Sequence, residues 1–227
     1  MFRKFSILLL VMATAAVVLS GCGGEEVPVD QFTADLVQTA GELTTTGQIF
    51  VRSGDYRMDL QEGGQPLTVI VDQLARTTTI TAPLEKIYSE IPVDHPASVM
   101  NDPFQGLQYS LTLGEIKPEG TEMVAGYECD KSGVFDGERR AMTQWHSPKL
   151  NFPLKIVMHG KTEKVVELQN IQPGEVPDSL FRVPADFARF ELPGGEPVEP
   201  PIWVDMIPSS KLVEPPFEER VNAGRMI

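Results

Sequence analysis

The sequence predicts a mainly β protein, an antiparallel meander of about ten strands, and three observations predict it. Runs of alternating apolar and polar residues recur from Ile49 to Ile171. Turn residues (glycine, proline, asparagine, aspartate) punctuate them at roughly ten-residue spacing. Long helical periodicity is missing from the same stretch, which argues against helices as the main elements.

The first 21 residues do not belong to this fold. Arg3 and Lys4 precede Ile7–Val18, a dozen residues without a charge, and then Leu19-Ser20-Gly21-Cys22. A charged start, a short apolar run and small residues before a cleavage point make a secretory signal. The run is too short for a membrane span, which needs about 20 apolar residues. The cysteine directly after Leu-Ser-Gly is similar to the lipobox of bacterial lipoproteins. That resemblance implies cleavage before Cys22, diacylglycerol on its thiol and an acylated amine. It also implies outer-membrane sorting in a double-membrane bacterium, because Gly23 stands where aspartate would retain the protein. Two or three acyl chains hold a protein stably on a bilayer.

Residues 22–31 read as a polar tether, and the β domain spans 32–190. Ile49-Phe50-Val51-Arg52, the turn Ser53-Gly54-Asp55, and Tyr56, Met58 and Leu60 alternating with Arg57, Asp59 and Gln61 form a hairpin with one wet face. After Gly63-Gly64 come Leu67–Val71, Thr77–Thr81 and Lys86–Ile91. A break over 92–106 contains a short helical candidate, Ala97–Asn101, with Pro96 in its first turn. Strands resume with Met123-Val124, Tyr127–Phe135, Arg140–His146, Leu154–Met158 and Lys164–Ile171, followed by a single turn near Asp178–Phe181. Residues 191–227 differ in kind: seven prolines fall between Pro193 and Ile227, with glutamates among them. This composition favours extended chain. Trp203 and its apolar neighbours make the tail either a strap across the sheet or a docking peptide for an envelope partner.

Charge and cysteine content exclude several functions. The net charge is −13, and removing Arg3 and Lys4 with the signal leaves 17 basic against 32 acidic side chains, or −15. Such a chain has no electrostatic footprint for nucleic acid. With Cys22 lipidated, Cys129 has no partner within the chain. Its acidic neighbours Glu128 and Asp130 raise a thiol pKa, so the expectation is an inert buried thiol. His95, His146 and His159 have no metal-ligand spacing, and no nucleophile elbow or phosphate loop is present. Asp35, Asp59 and Asp72 read as solvent-face carboxylates. We therefore expect no enzyme, no metal and no cofactor. What remains is a sheet with an apolar face, filled either by its own side chains or by a hydrophobic ligand.

The order Gly47-Gln48-Ile49-Phe50-Val51, Tyr56-Arg57-Met58-Asp59, Ile70-Val71-Asp72 and Lys86-Ile87-Tyr88 carries a further likeness. So do Gly126-Tyr127-Glu128-Cys129, Trp145-His146-Ser147-Pro148, Pro153-Leu154-Lys155-Ile156 and Pro177–Pro184. The set resembles the secreted proteins and lipoproteins grouped around the outer-membrane lipoprotein carrier and its acceptor, the LolA/LolB-like proteins. It spans about residues 32–190. The resemblance implies an open, strongly curved antiparallel sheet, a half-barrel, with one or two short covering helices and an apolar hollow for acyl chains. On that reading Tyr56, Met58, Leu60, Leu154, Ile156 and Met158 line the ligand face. A chain anchored through Cys22 cannot shuttle between membranes, so an acceptor-like or sensor-like role fits it better than a carrier's. The alternative is a structural or interaction subunit of an envelope complex.

Overall fold

The computed structural model describes residues 29–191. The signal segment, Cys22 and the Pro-rich tail beyond residue 191 lie outside the described residues, and so do the expectations placed on them. Twelve strands form one sheet: β1 (Gln31–Ala40), β2 (Leu43–Arg52), β3 (Asp55–Glu62), β4 (Gln65–Asp72), β5 (Thr77–Ala82), β6 (Ile87–Pro92), β7 (Glu115–Val124), β8 (Tyr127–Asp136), β9 (Arg139–Ser147), β10 (Phe152–Met158), β11 (Lys164–Pro173) and β12 (Ala188–Arg189). Two helices, α1 (Pro96–Asn101) and α2 (Pro103–Leu113), fill the gap between β6 and β7. The spatial order is β12-β6-β5-β4-β3-β2-β1-β11-β10-β9-β8-β7. The chain thus runs as two meanders joined where β11 returns beside β1. Among the described residues the sheet does not close: β7 and β12 are its edges, and it curves into a half-barrel.

Local chemistry accounts for most of this. The two-residue turns Ser53-Gly54 and Gly63-Gly64 have φ of 51° and 93°, and of 57° and 80°. Both central residues of such a turn lie at positive φ, which matches the twist of the flanking strands. Register shifts interrupt the ladders at Thr33/Asp35, Pro153/Lys155, Pro118/Thr121 and Val134/Phe135, and bulges of this kind bend a sheet and increase its twist. Gly47 sits where β2 and β3 approach too closely for a side chain: a Cβ there would lie 2.5 Å from the Asp59 carbonyl oxygen and 2.9 Å from Leu60 Cδ2. The edge strand β7 is exposed over nearly its whole length. Pro118 and the adjacent bulge blunt it against pairing with another chain.

One face of the sheet carries the core. Phe32, Ala34 and Leu36 oppose Val51, Ile49 and Gly47. Val51 and Ile49 in turn oppose Tyr56 and Met58, and Tyr56, Met58 and Leu60 oppose Val71, Val69 and Leu67. On the other side Leu36 meets Leu168, Val166 meets Ile156, and Met158 meets Met142. This band is continuous across both meanders, and α1 and α2 lie over it.

The structure extends the sequence reading in three places. Strand β1 was not anticipated, although Phe32, Ala34 and Leu36 are buried at alternate positions. Helix α1 matches the expected Ala97–Asn101 segment, but the break continues into a second helix of 11 residues. The sheet has twelve strands rather than about ten. Among the described residues no helix is long and apolar enough to cross a membrane.

Candidate functional site

The six residues assigned to the ligand face all lie on the core side. Tyr56, Met58, Leu154, Ile156 and Met158 are at most 1% exposed, and Leu60 packs partly buried against the same cluster. The face is occupied by side chains: Tyr56 meets Phe104 of α2 edge-on at 5.5 Å and Phe152 at 5.8 Å, and Phe104 lies 4.9 Å from Phe152. A ligand reaching these six residues must therefore displace the helix that covers them.

That helix is held by Asp102, a residue with no part in the sequence analysis above. Asp102 caps α2, its Oδ1 accepting from the amides of Phe104 at 2.8 Å and Gln105 at 3.2 Å, with Pro103 in the first turn. An acceptor at the cap followed by proline at the first helical position is a strong start signal. Here the cap is also the link to the sheet, because the Tyr56 hydroxyl donates to Asp102 Oδ2 at 2.6 Å and Gln105 Nε2 donates to the Tyr56 oxygen at 2.9 Å. Asp102 is 1% exposed, Tyr56 1% and Gln105 6%. Burial disfavours the charged form and pushes the Asp102 carboxyl up to about 6, against the hydrogen bonds from Tyr56 and the two amides, which pull it down. Burial, reinforced by the neighbouring carboxylate, raises Tyr56 well above the ordinary phenol range. A second buried contact, Thr78 Oγ1 to Ser98 Oγ at 2.7 Å, fixes α1 to β5. Helix α2 is buried from Pro103 to Leu107, while the turns after it emerge toward solvent.

The opposite face is partly covered as well. After β11 the chain crosses back over the meander and ends as β12 alongside β6. The 3-10 turn Asp178–Phe181 anchors the crossing. Arg57 Nη1 donates to the Leu180 carbonyl at 2.8 Å, Arg52 pairs with Asp178, and the Arg52 guanidinium lies 4.4 Å over the Phe181 ring. Ser89 Oγ donates to the Phe190 carbonyl, and Lys86 pairs with Asp186 at 2.8 Å. Residues 174–190 thus form a strap, and under it Thr68, Ile70, Thr79 and Thr81 are buried. A cavity of about 140 Å³ remains between strap and sheet, lined by Arg52, Asp55, Ile70, Asp72, Phe181 and Arg182.

The other singled-out residues fall into structural roles. Cys129 is fully buried, and burial pushes its thiol up to about 11. Burial lowers the pKa of His146 near the end of β9. The three aspartates do not converge. Asp35 accepts from Asn170, Asp59 from Arg57 and Thr68, and Asp72 from the Ala75 amide in its own turn. Among the described residues no group of three or more histidine, cysteine, aspartate or glutamate side chains is placed to hold a metal ion.

Fold and site together define an open antiparallel half-barrel whose apolar concave face is stoppered by a short helix. A model of a domain of unknown function, DUF4412, matches residues 140–187, from β9 into the strap. No curated protein matches the chain. Among solved structures the chain is similar to an uncharacterized conserved protein from Thermus thermophilus, with 11% identity over 72% of this chain and 91% of that one and a TM-score of 0.51. At that identity the likeness is one of fold. It is also similar to the Pseudomonas aeruginosa MucA/MucB complex structure (17% identity, 69% of this chain and 56% of that one, TM-score 0.45). A LolA superfamily protein from Nitrosomonas europaea is similar at 10% identity over 68% of this chain and 91% of that one, with a TM-score of 0.37.

Proposed function

We propose that this chain is a bacterial lipoprotein, held by acyl chains on Cys22 at the extracytoplasmic side of the envelope, whose half-barrel binds a hydrophobic or lipid-like ligand or handles lipoproteins at the membrane surface. One observation carries the reading: an apolar band runs across both meanders, and among the described residues α1 and the buried first half of α2 cover it. A helix of that length has little stability of its own, since nucleation is costly and packing supplies most of what holds a short helix. Displacing it exposes a concave surface suited to acyl chains. The role is non-catalytic, and the surface charge of −15 leaves the tether as the membrane contact.

Two measurements test this. Cells fed an alkyne-tagged fatty acid are expected to label the wild-type chain and not Cys22→Ser; equal labelling of both, or of neither, refutes the anchor. The chain from residue 23, exported without its lipid, is expected to carry a bound apolar mass in native mass spectrometry, or to take up a fluorescent fatty-acyl probe. A clean apo mass with no probe binding refutes the ligand. That outcome favours the second reading, an interaction subunit docking through its Pro-rich tail, which the filled interior also supports.

A further inference from the structure

We propose that Asp102 is the latch of the hollow: its carboxyl group, held by the Tyr56 hydroxyl, pins the first turn of α2 to the sheet, and its ionisation loosens that turn as the surrounding pH rises. The inference rests on the reading that the concave face receives a ligand, and it names what controls access to that face.

The geometry carries the argument. Asp102 is the residue where α1 ends and α2 begins: its backbone N–H donates to the Ser98 carbonyl and closes α1, and its side chain caps α2. Its two oxygens divide the work, Oδ1 serving the helix and Oδ2 the sheet through Tyr56. Asp102 is also the one carboxylate in the buried part of the described residues, so it is the acidic group with the most to lose from ionisation in place. The groups that face it are few. Tyr56 comes from β3 and stays neutral, and Gln105 from α2 carries no charge. Phe32 and Phe152 complete the aromatic wall from β1 and β10. Lys164 of β11 acts through space in favour of the charged form, and its effect is smaller than that of burial. His95 at the start of α1 accepts from the Ala97 amide through Nδ1 and is turned to its own helix.

The sign follows from linkage. In the seated helix the carboxyl titrates near 6, and in an opened helix exposed to water it titrates near its ordinary 3.8. The seated form therefore binds the proton more tightly. Its advantage is fully present below about pH 4 and is lost as pH rises through about 6. Between pH 4 and pH 7 the opening constant of α2 is expected to rise by roughly fiftyfold, the ratio of the two titration factors at those pH values.

The test is amide hydrogen exchange of residues 104–107 in the ligand-free exported chain, corrected for intrinsic rates, from pH 4 to pH 7. Wild type is expected to show the fiftyfold rise in opening. Asp102→Asn keeps a good cap and is expected to flatten the profile to within about threefold. Tyr56→Phe removes a donor to the carboxylate and is expected to move the midpoint to higher pH, a shift that a purely packing role for Tyr56 would not produce. If Asp102→Asn does not accumulate as a folded protein, the Tyr56→Phe shift alone decides. A flat wild-type profile, or a rise that persists in Asp102→Asn, overturns the latch. Uptake of the fatty-acyl probe at pH 5 and pH 7 separates this from the ligand reading. A pH-dependent opening without uptake at either pH sinks the ligand and leaves the latch, and pH-independent uptake in wild type and Asp102→Asn alike sinks the latch and leaves the ligand.

Discussion

Phe152→Ala is expected to lower the unfolding free energy by about 3–5 kcal/mol, the range for deleting a buried aromatic side chain. Phe152 is the hub of the interior. Its ring meets Phe32 at 5.8 Å, Tyr56 at 5.8 Å and Phe104 at 4.9 Å, so one side chain joins β1, β3, β10 and α2. Edge-on and tilted aromatic contacts of this kind add stabilisation beyond burial alone, which places the loss toward the upper end. Against a total of about 5–15 kcal/mol for a domain of ordinary size, the change consumes a large part of the margin. Thermal unfolding is expected to fall by roughly 10 °C or more, with Leu84→Ala as a control. Leu84 is 65% exposed on the β5–β6 turn, and its truncation is expected to stay within about 0.5 kcal/mol. A Phe152→Ala protein that melts within about 3 °C of wild type would remove the aromatic hub from the account of the core.

The meander was legible because its information is local. Turn pairs such as Ser53-Gly54 and Gly63-Gly64 and the alternation of Tyr56, Met58 and Leu60 act within a few residues, and a period of two survives whatever packs above it. By the same locality, the alternation puts Tyr56, Met58 and Leu60 on the apolar side of the sheet, which is the core side. What the pattern could not state is what fills that side. Helix α2 was hidden by Gly106, Tyr109 and Thr112, which weaken helical propensity, although Asp102-Pro103 carried its start signal. The burial of Asp102 depends on Tyr56, 46 residues away in sequence, and no local pattern reports a contact of that separation. Strand β1 was passed over for a different reason: Phe32, Ala34 and Leu36 alternate cleanly, but a small residue in the middle position lowers the apolar contrast. Arg57 and Asp59 read as a wet strand face because charged residues alternating with apolar ones normally are. The strap that covers them arrives from more than a hundred residues further on.

That strap makes the second large prediction. Arg57 directs its guanidinium to three acceptors: Nε and Nη2 bind the two oxygens of Asp59 at 2.8 and 3.0 Å, and Nη1 reaches the Leu180 carbonyl at 2.8 Å. Asp59 in turn accepts from Thr68 Oγ1 at 2.8 Å. Replacing Arg57 by methionine preserves the stem that packs against the sheet and deletes all three donors. It leaves a carboxylate under the strap with only a threonine for partner and a carbonyl with none. Removing one member of a buried pair costs about 3–5 kcal/mol. The side chains here are 21% and 35% exposed, so water recovers part of that and about 2–3 kcal/mol is expected. The loss should concentrate where the donors acted. Arg182 lies exposed in the strap directly after the 3-10 turn, and trypsin is expected to cut there at least tenfold faster in Arg57→Met than in wild type, while cleavage at the exposed Lys161, in the turn between β10 and β11, is unchanged. Arg57→Met combined with Asp59→Leu is expected to recover part of the melting temperature, because the orphaned charge is removed together with its partner. It should not restore protection of Arg182, because the Leu180 carbonyl still lacks its donor. Unchanged cleavage at Arg182 in both variants would mean that the strap is held by β12 and by Arg52 rather than by Arg57.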